Sequence, residues 1–168
     1  AAIALTGDIG NSPSPLLPDW EAVEDADALV MESVYGDRLH PPQESRASLL
    51  RDTLARAIAK GGTILIPAFS MERTQLMLYE LSNFFAAGQL PQVPVYLDSP
   101  LAIHVTAVYE KWGPTYFKQE AEDEMKREGS LFEFPFLTKT LSREESEQIA
   151  GVSAPKIIIA GAGMSHGG

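Results

Sequence analysis

The side chains able to do chemistry in these 168 residues are few, and they cluster at the ends of apolar runs. Asp8 lies between Gly7 and Gly10 in TGDIG, Glu32 follows ALVM, Arg73 follows TILIPAFSME, and Asp98-Ser99-Pro100 follows VPVYL. A fifth candidate is the glycine-rich stretch Gly161 to Gly168 after KIIIA. A carboxylate suits a hard metal ion, or accepts from an imidazole and favours its protonated form. A guanidinium can hold a phosphate through two parallel bonds, and a serine at a helix start can add a hydroxyl and neighbouring amides. Each residue also has a plainer use. An aspartate between glycines serves turns, a strand-end glutamate can be satisfied by backbone amides, an arginine at a helix start can sit on the surface, and Asp98-Ser99-Pro100 would cap a helix.

Other chemistries are excluded or weakened. There is no cysteine, so neither a disulfide framework nor a thiolate zinc site is available. The histidines His40, His104 and His166 match no two-histidine zinc spacing; His104 is expected to pack or cap within a helix, and His40 to sit in a solvated loop. The role of His166, inside the glycine stretch, stays open. Gly161, Gly163 and Gly167 are spaced one residue too widely for a dinucleotide fingerprint, and no Walker lysine pattern occurs. The formal charge of −10 argues against a broad basic surface for nucleic acid, so any phosphate contact must be local. Residues 38–73 reverse the acidic balance, with Arg38, Arg46, Arg51, Arg56, Lys60 and Arg73 against Glu44, Asp52 and Glu72. No run is long enough to span a bilayer and the start lacks signal-peptide features, so a cytoplasmic setting is expected.

The elements that must position these residues alternate. DALVMESV reads as a short buried strand. A helix carries Ala47, Leu50, Leu54 and Ile58 and stops at Gly61-Gly62. TILIPAF reads as a parallel strand covered on both faces. Residues 71–87 turn helical, with Leu78, Leu81 and Phe85 on one side and Gly88 at the end. VPVYLDS is a strand and PLAIHVTAVYEKW a helix with Pro100 in its first turn. KQEAEDEMKRE covers the exposed side of a helix, LFEFPFL is either a strand or an aromatic packing loop, and Ser142 to Glu145 open a helix with a capping pattern. PKIIIAGAG is a last buried strand. The fold class expected is α/β, a mainly parallel doubly wound sheet with helices on both faces, whose ligands gather beyond the strand carboxyl ends.

Five segments in this order, TGDIG, ALVMESVYGDRLH, GGTILIPAFSMERTQLMLYEL, VPVYLDSPLA and IIIAGAGMSHGG, resemble the β-CASP family of metallo-β-lactamase-fold ribonucleases, of the RNA-processing exonuclease type. The resemblance implies that residues 1–37 belong to the metallo-β-lactamase core and residues 38–168 to the β-CASP cap, which ends where it rejoins the core. It implies that Asp8 bridges two zinc ions. It also implies that Glu32 orients a histidine acting as general acid; Val34 stands where the family has threonine. Arg73 then faces the cleft between core and cap, where it could hold an RNA phosphate, and Ser99 is a second candidate substrate contact.

The family's zinc-binding histidines are expected upstream of residue 1, and its later histidines, the general acid among them, downstream of residue 168. The chain is therefore expected to be an inactive fragment of an RNA-cleaving hydrolase. In the parent, a metal-bound hydroxide would attack the phosphodiester. Its expected partners are RNA, the missing core segments and, as a possibility left open, a second copy of itself. Two alternatives stand beside this reading: a binding or assembly module, and a hydrolase of another substrate on the same fold. Endonuclease and exonuclease action are not separable from sequence.

Overall fold

The computed structural model describes residues 1–10, 12–39 and 45–161. Two parallel sheets organise them. The first pairs β1 (Ile3–Leu5) with β2 (Ala28–Val30), with Leu5 opposite Val30. The second contains β3 (Thr63–Ala68), β4 (Val95–Asp98), β5 (Leu137–Lys139) and β6 (Lys156–Gly161) in the order β3-β6-β4-β5, every neighbour parallel. Between the strands run α1 (Arg46–Ala59), α2 (Arg73–Ala86), α3 (Pro100–Tyr116), α4 (Gln119–Glu128) and the short α5 (Arg143–Gln148). Parallel strands need such crossovers, so the α/β class follows from the alternation itself. None of the described helices is long and apolar enough to cross a membrane.

The core lies on one face of the larger sheet. Ile157 pairs with Ile64 on one side and Val95 on the other, and Ile159 likewise with Ile66 and Leu97. Val95, Leu97, Ile157 and Ile159 are fully buried, together with Leu78 and Leu81 of α2 and Ala102 of α3. Each buried aliphatic side chain contributes about 1.5 to 3 kcal/mol, which fixes the strand register. Phe85, Phe134 and Phe136 form an aromatic group with centroids 5.1 to 6.1 Å apart. LFEFPFL is thus mostly a packing loop, and β5 begins only at its last residue.

Two burial expectations are corrected. β3 alternates rather than being covered on both faces, with Leu65 63% exposed, because it is the edge strand of its sheet. β2 is three residues long and exposed throughout, Leu29 and Val30 each at 56%, because among the described residues it has only β1 beside it and no layer across its faces. α3 also runs further than its apolar pattern indicated, through Pro114 to Tyr116. His104 lies on the exposed side of α3 rather than packing. His40 lies outside the described residues, as does all of the glycine stretch beyond Gly161, His166 included.

Turn chemistry holds the crossovers in place. Gly61 and Gly88 adopt φ of +73° and +64° just past α1 and α2, a left-handed conformation that side chains resist. α5 has the full capping box: Ser142 Oγ accepts from Glu145 N–H, while the Glu145 carboxylate accepts from Ser142 N–H at 3.1 Å. Lys156, buried at the start of β6, donates to the carbonyls of Ile149 and Val152 at 2.7 and 2.6 Å.

Candidate functional site

The carboxyl ends of both sheets carry the candidate residues. In the smaller sheet, Thr6 N–H donates to the Val30 carbonyl at 3.1 Å, which sets the chain after β1 beside the chain after β2. Asp8 and Glu32 therefore leave the same edge, three residues past Leu5 and two past Val30. Both are exposed. Glu32 Oε2 accepts from the Val34 amide at 2.9 Å, so the plainer backbone-satisfying role is realised within this chain. That contact uses one lone pair and leaves the rest of the carboxylate available. Among the described residues no group of three or more His, Asp or Glu could hold a metal ion. The described residues thus do not make a zinc site by themselves; Asp8 could supply one ligand of a site completed by other segments.

The larger sheet presents a strained turn. Between β3 and α2, Arg73 N–H donates to the Met71 carbonyl at 2.8 Å, closing a three-residue turn around Glu72 at φ 63°, ψ −60°. This is the γ-turn geometry that non-glycine residues rarely adopt. Residues that follow hold it from behind. Thr74 Oγ1 donates to the Phe69 carbonyl at 2.8 Å, and Gln75 Nε2 donates to the Ser70 carbonyl at 3.2 Å and to Thr106 Oγ1 of α3 at 2.8 Å. Thr74, Gln75 and Thr106 are fully buried, while Gln75 Oε1 has no partner among the described residues. A buried carbonyl left without a partner is costly. The network aims Arg73 outward as the first residue of α2.

Arg73 is exposed and makes no ion pair with any described residue. It lines a cavity of about 180 Å³ with Arg46, Glu72, Leu76, Gly10 and Pro13 to Pro15. Gly10 lies two residues beyond Asp8, so the loop after β1 and the Arg73 turn share one concavity. A larger cavity, about 720 Å³, lies between α2, α4 and the aromatic loop and contains none of the strand-end residues. The convergence of strand ends, not size, marks the smaller one.

Asp98-Ser99-Pro100 is engaged structurally. Ser99 is buried, its Oγ accepts from Ala102 N–H at 3.3 Å as the N-cap of α3, and Pro100 takes the first helical position. Asp98 accepts from Thr140 Oγ1 at 2.6 Å and Ser146 Oγ at 2.8 Å, tying β4 to α5 and to the segment before it. A side chain at Gly161 would meet Ser99 Oγ at 3.1 Å, so the end of β6 passes directly beside the cap.

Sequence reading singled out Arg73 but not Arg46, although Arg46 stood within the one stretch of reversed charge. Their shared cavity depends on the Pro13 to Pro15 segment folding across both helix starts, which no local pattern encodes.

Parallel strands with helical crossovers place the chain among α/β proteins, a class whose ligands generally gather beyond the strand carboxyl ends. A profile of the Beta-Casp domain matches residues 74–168, and the chain belongs to this family. It is 32% identical over 166 residues to Ribonuclease TTHA0252 of Thermus thermophilus, covering 99% of this chain and 38% of that protein. It is 31% identical over 172 residues to the RNase J-like protein of Methanocaldococcus jannaschii, covering 99% and 38%. Against cleavage and polyadenylation specificity factor 73 of Drosophila melanogaster it is 29% identical over 143 residues, covering 84% and 20%. The chain thus spans less than two fifths of the length of each of these relatives.

Proposed function

We propose that this chain is the β-CASP cap, with adjoining strands of a metallo-β-lactamase core, of a zinc-dependent hydrolase that cleaves RNA phosphodiester bonds. Two of the three relatives carry ribonuclease names, which supports RNA as the substrate class. The observation that carries the reading is the single cavity joining the loop after Asp8 to the Arg73 turn. It sets a cation that can neutralise a phosphate beside the loop whose carboxylate belongs to the reacting centre. Asp8 would be a ligand of the zinc centre, which supplies Lewis-acid chemistry when bound; the other ligands come from segments outside this chain. Glu32, on the same edge as Asp8, orients the general acid, also supplied from outside. Ser99 acts on substrate through the helix start it caps rather than by a free hydroxyl.

The division at residues 37 and 38 belongs to the same proposal. β1 and β2 form a sheet of their own, and their exposed apolar residues, Ile3, Leu5, Leu29 and Val30, are the surface on which the rest of the core would pack. By itself the chain is expected to be inactive, and its setting is cytoplasmic.

Substitution of Arg73 tests the cavity. Phosphate contacts carry little base information, so Arg73→Ala in the full-length protein should weaken binding to unrelated RNA sequences equally and reduce its salt dependence. Unchanged affinity would place Arg73 on the outer surface. A loss confined to one sequence would mean base recognition instead.

A second reading has one observation in its favour. Leu101, Val108, Trp112 and Tyr116 recur at helical spacing on the outer side of α3 and are 49 to 64% exposed. Such a stripe suits an assembly surface. Sedimentation of the full-length protein with and without Trp112→Glu decides whether a second copy uses it.

A further inference from the structure

Arg73 is one of three cations on a continuous concave surface. The cavity it shares with Arg46 adjoins a second, of about 420 Å³, lined by Pro13 to Pro15, Arg46, Ala47, Leu76, Glu80 and Lys118. Pro13 to Pro15, Arg46 and Leu76 border both, so the two form one groove floored by Leu76 and walled by the proline segment. That wall is fixed: Leu16 is fully buried, and its carbonyl accepts from Lys118 N–H at 2.9 Å. Lys118 and Arg46, like Arg73, make no ion pair with any described residue.

Arg56, Lys60, Lys111 and Lys156 also make no ion pair with a described residue, so it is the gathering of Arg46, Arg73 and Lys118 on one concave surface that sets these three apart. Arg38, Arg51, Lys126, Arg127, Lys139 and Arg143 each pair with a neighbouring carboxylate, as an excess of acid on a chain of charge −10 would dictate. In the groove three cations meet two carboxylates, Glu72 and Glu80. Burial raises the pKa of Glu80, which weakens its opposition further. The positions are also unfavourable for the helices. Arg46 and Arg73 open α1 and α2, which have no side-chain cap and no acidic residue in the first turn, and Lys118 stands at the N-cap of α4. A cation at a helix start opposes the helix dipole, so these residues are placed where an incoming anion, not the fold, gains from them.

We propose that Arg73, Arg46 and Lys118 form a path for the phosphates of single-stranded nucleic acid, extending from the Asp8 loop along the proline segment to the start of α4. This rests on the RNA reading above and adds to it two binding residues and a direction for the strand. Successive phosphates lie on successive cations, while Leu76 and the prolines offer apolar contact that does not discriminate bases. Neither added residue touches the reacting centre.

The test uses full-length protein, with chelator present to stop turnover, and single-stranded RNA and DNA of equal length, titrated at several salt concentrations. Each phosphate contact on a single strand contributes about 0.7 to the slope of log affinity against log salt. Arg46→Ala with Lys118→Ala should therefore lower the slope by about 1.4 for both polymers, and Arg46→Lys should restore its share. Unchanged slope and affinity in the double variant would overturn the path. If both polymers bind through these residues but RNA is not hydrolysed when metal is returned, the path stands and the ribonuclease reading falls. If neither polymer binds to the wild type, both fall. Binding of inorganic pyrophosphate that depends on Arg46 and Lys118, without polymer binding, would assign a free phosphate ligand and likewise overturn the path.

Discussion

Replacing Glu72 by glycine separates the strain of the turn before α2 from its charge. Glu72 is held at φ 63°, ψ −60° by the 2.8 Å bond from Arg73 N–H to the Met71 carbonyl. A non-glycine residue in such a region costs about 1 to 3 kcal/mol. Glycine removes that cost but loses about 0.5 to 1 kcal/mol of additional backbone entropy on folding. Glu72→Ala removes the same carboxylate and keeps the strain, so the glycine variant should exceed the alanine variant by about 0.5 to 2 kcal/mol. For a unit of this size that corresponds to roughly 1 to 8 °C in Tm. Thermal unfolding of the three full-length proteins is the assay. RNA affinity should rise in both variants, because each removes one of two carboxylates from the groove. The gain should be smaller in the glycine variant, since a freer turn aims Arg73 less well at a phosphate. Equal Tm values for glycine and alanine would refute the strained turn, and an equal gain in RNA affinity would refute its positioning role.

Thr106→Val leaves Gln75 Nε2 with the Ser70 carbonyl as its sole acceptor and should destabilise by about 1 to 3 kcal/mol in urea titrations; adding Gln75→Leu, which also removes the unpartnered Oε1, should recover part of that loss. Burial, and then the 2.8 Å bond to Glu124, push the Tyr79 phenol from 10.0 up to about 12. Because the folded value is the higher one, the stabilisation is complete below pH 10 and disappears as pH rises through the folded value. Wild-type protein should accordingly lose more stability than Tyr79→Phe across that window, read from urea midpoints. Zinc calorimetry on residues 1–168 should show no more than weak carboxylate binding, little changed by Asp8→Ala, since the described residues offer no cluster of ligands; tight stoichiometric uptake would contradict this.

Local chemistry made much of this fold legible. The capping pattern at Ser142 and Glu145 is realised bond for bond, Gly61 and Gly88 end their helices, and the apolar runs at 63–69, 93–99 and 155–161 all become parallel strands. Apolar content could not report which strand stands at an edge, so the exposure of Leu65 was missed. The strand-end placement of Asp8, Glu32, Arg73 and Ser99 was legible, because each follows an apolar run. Arg46 and Lys118 each begin or precede a helix, and only the long-range contact of Leu16 with α4 brings them beside Arg73. The left-handed backbone at Glu72 was equally invisible, because glutamate gives no signal for it.

Hydrolysis of a labelled single-stranded RNA by the full-length protein, wild type against Glu32→Gln, tests the central claim most directly. Glutamine keeps the shape of the side chain and its acceptor for the Val34 amide but removes the charge. Wild type should cleave RNA, and the variant should cleave far more slowly with the same zinc content and the same RNA affinity. Equal rates in the two proteins, or intact RNA after incubation with zinc-loaded wild type, would contradict it.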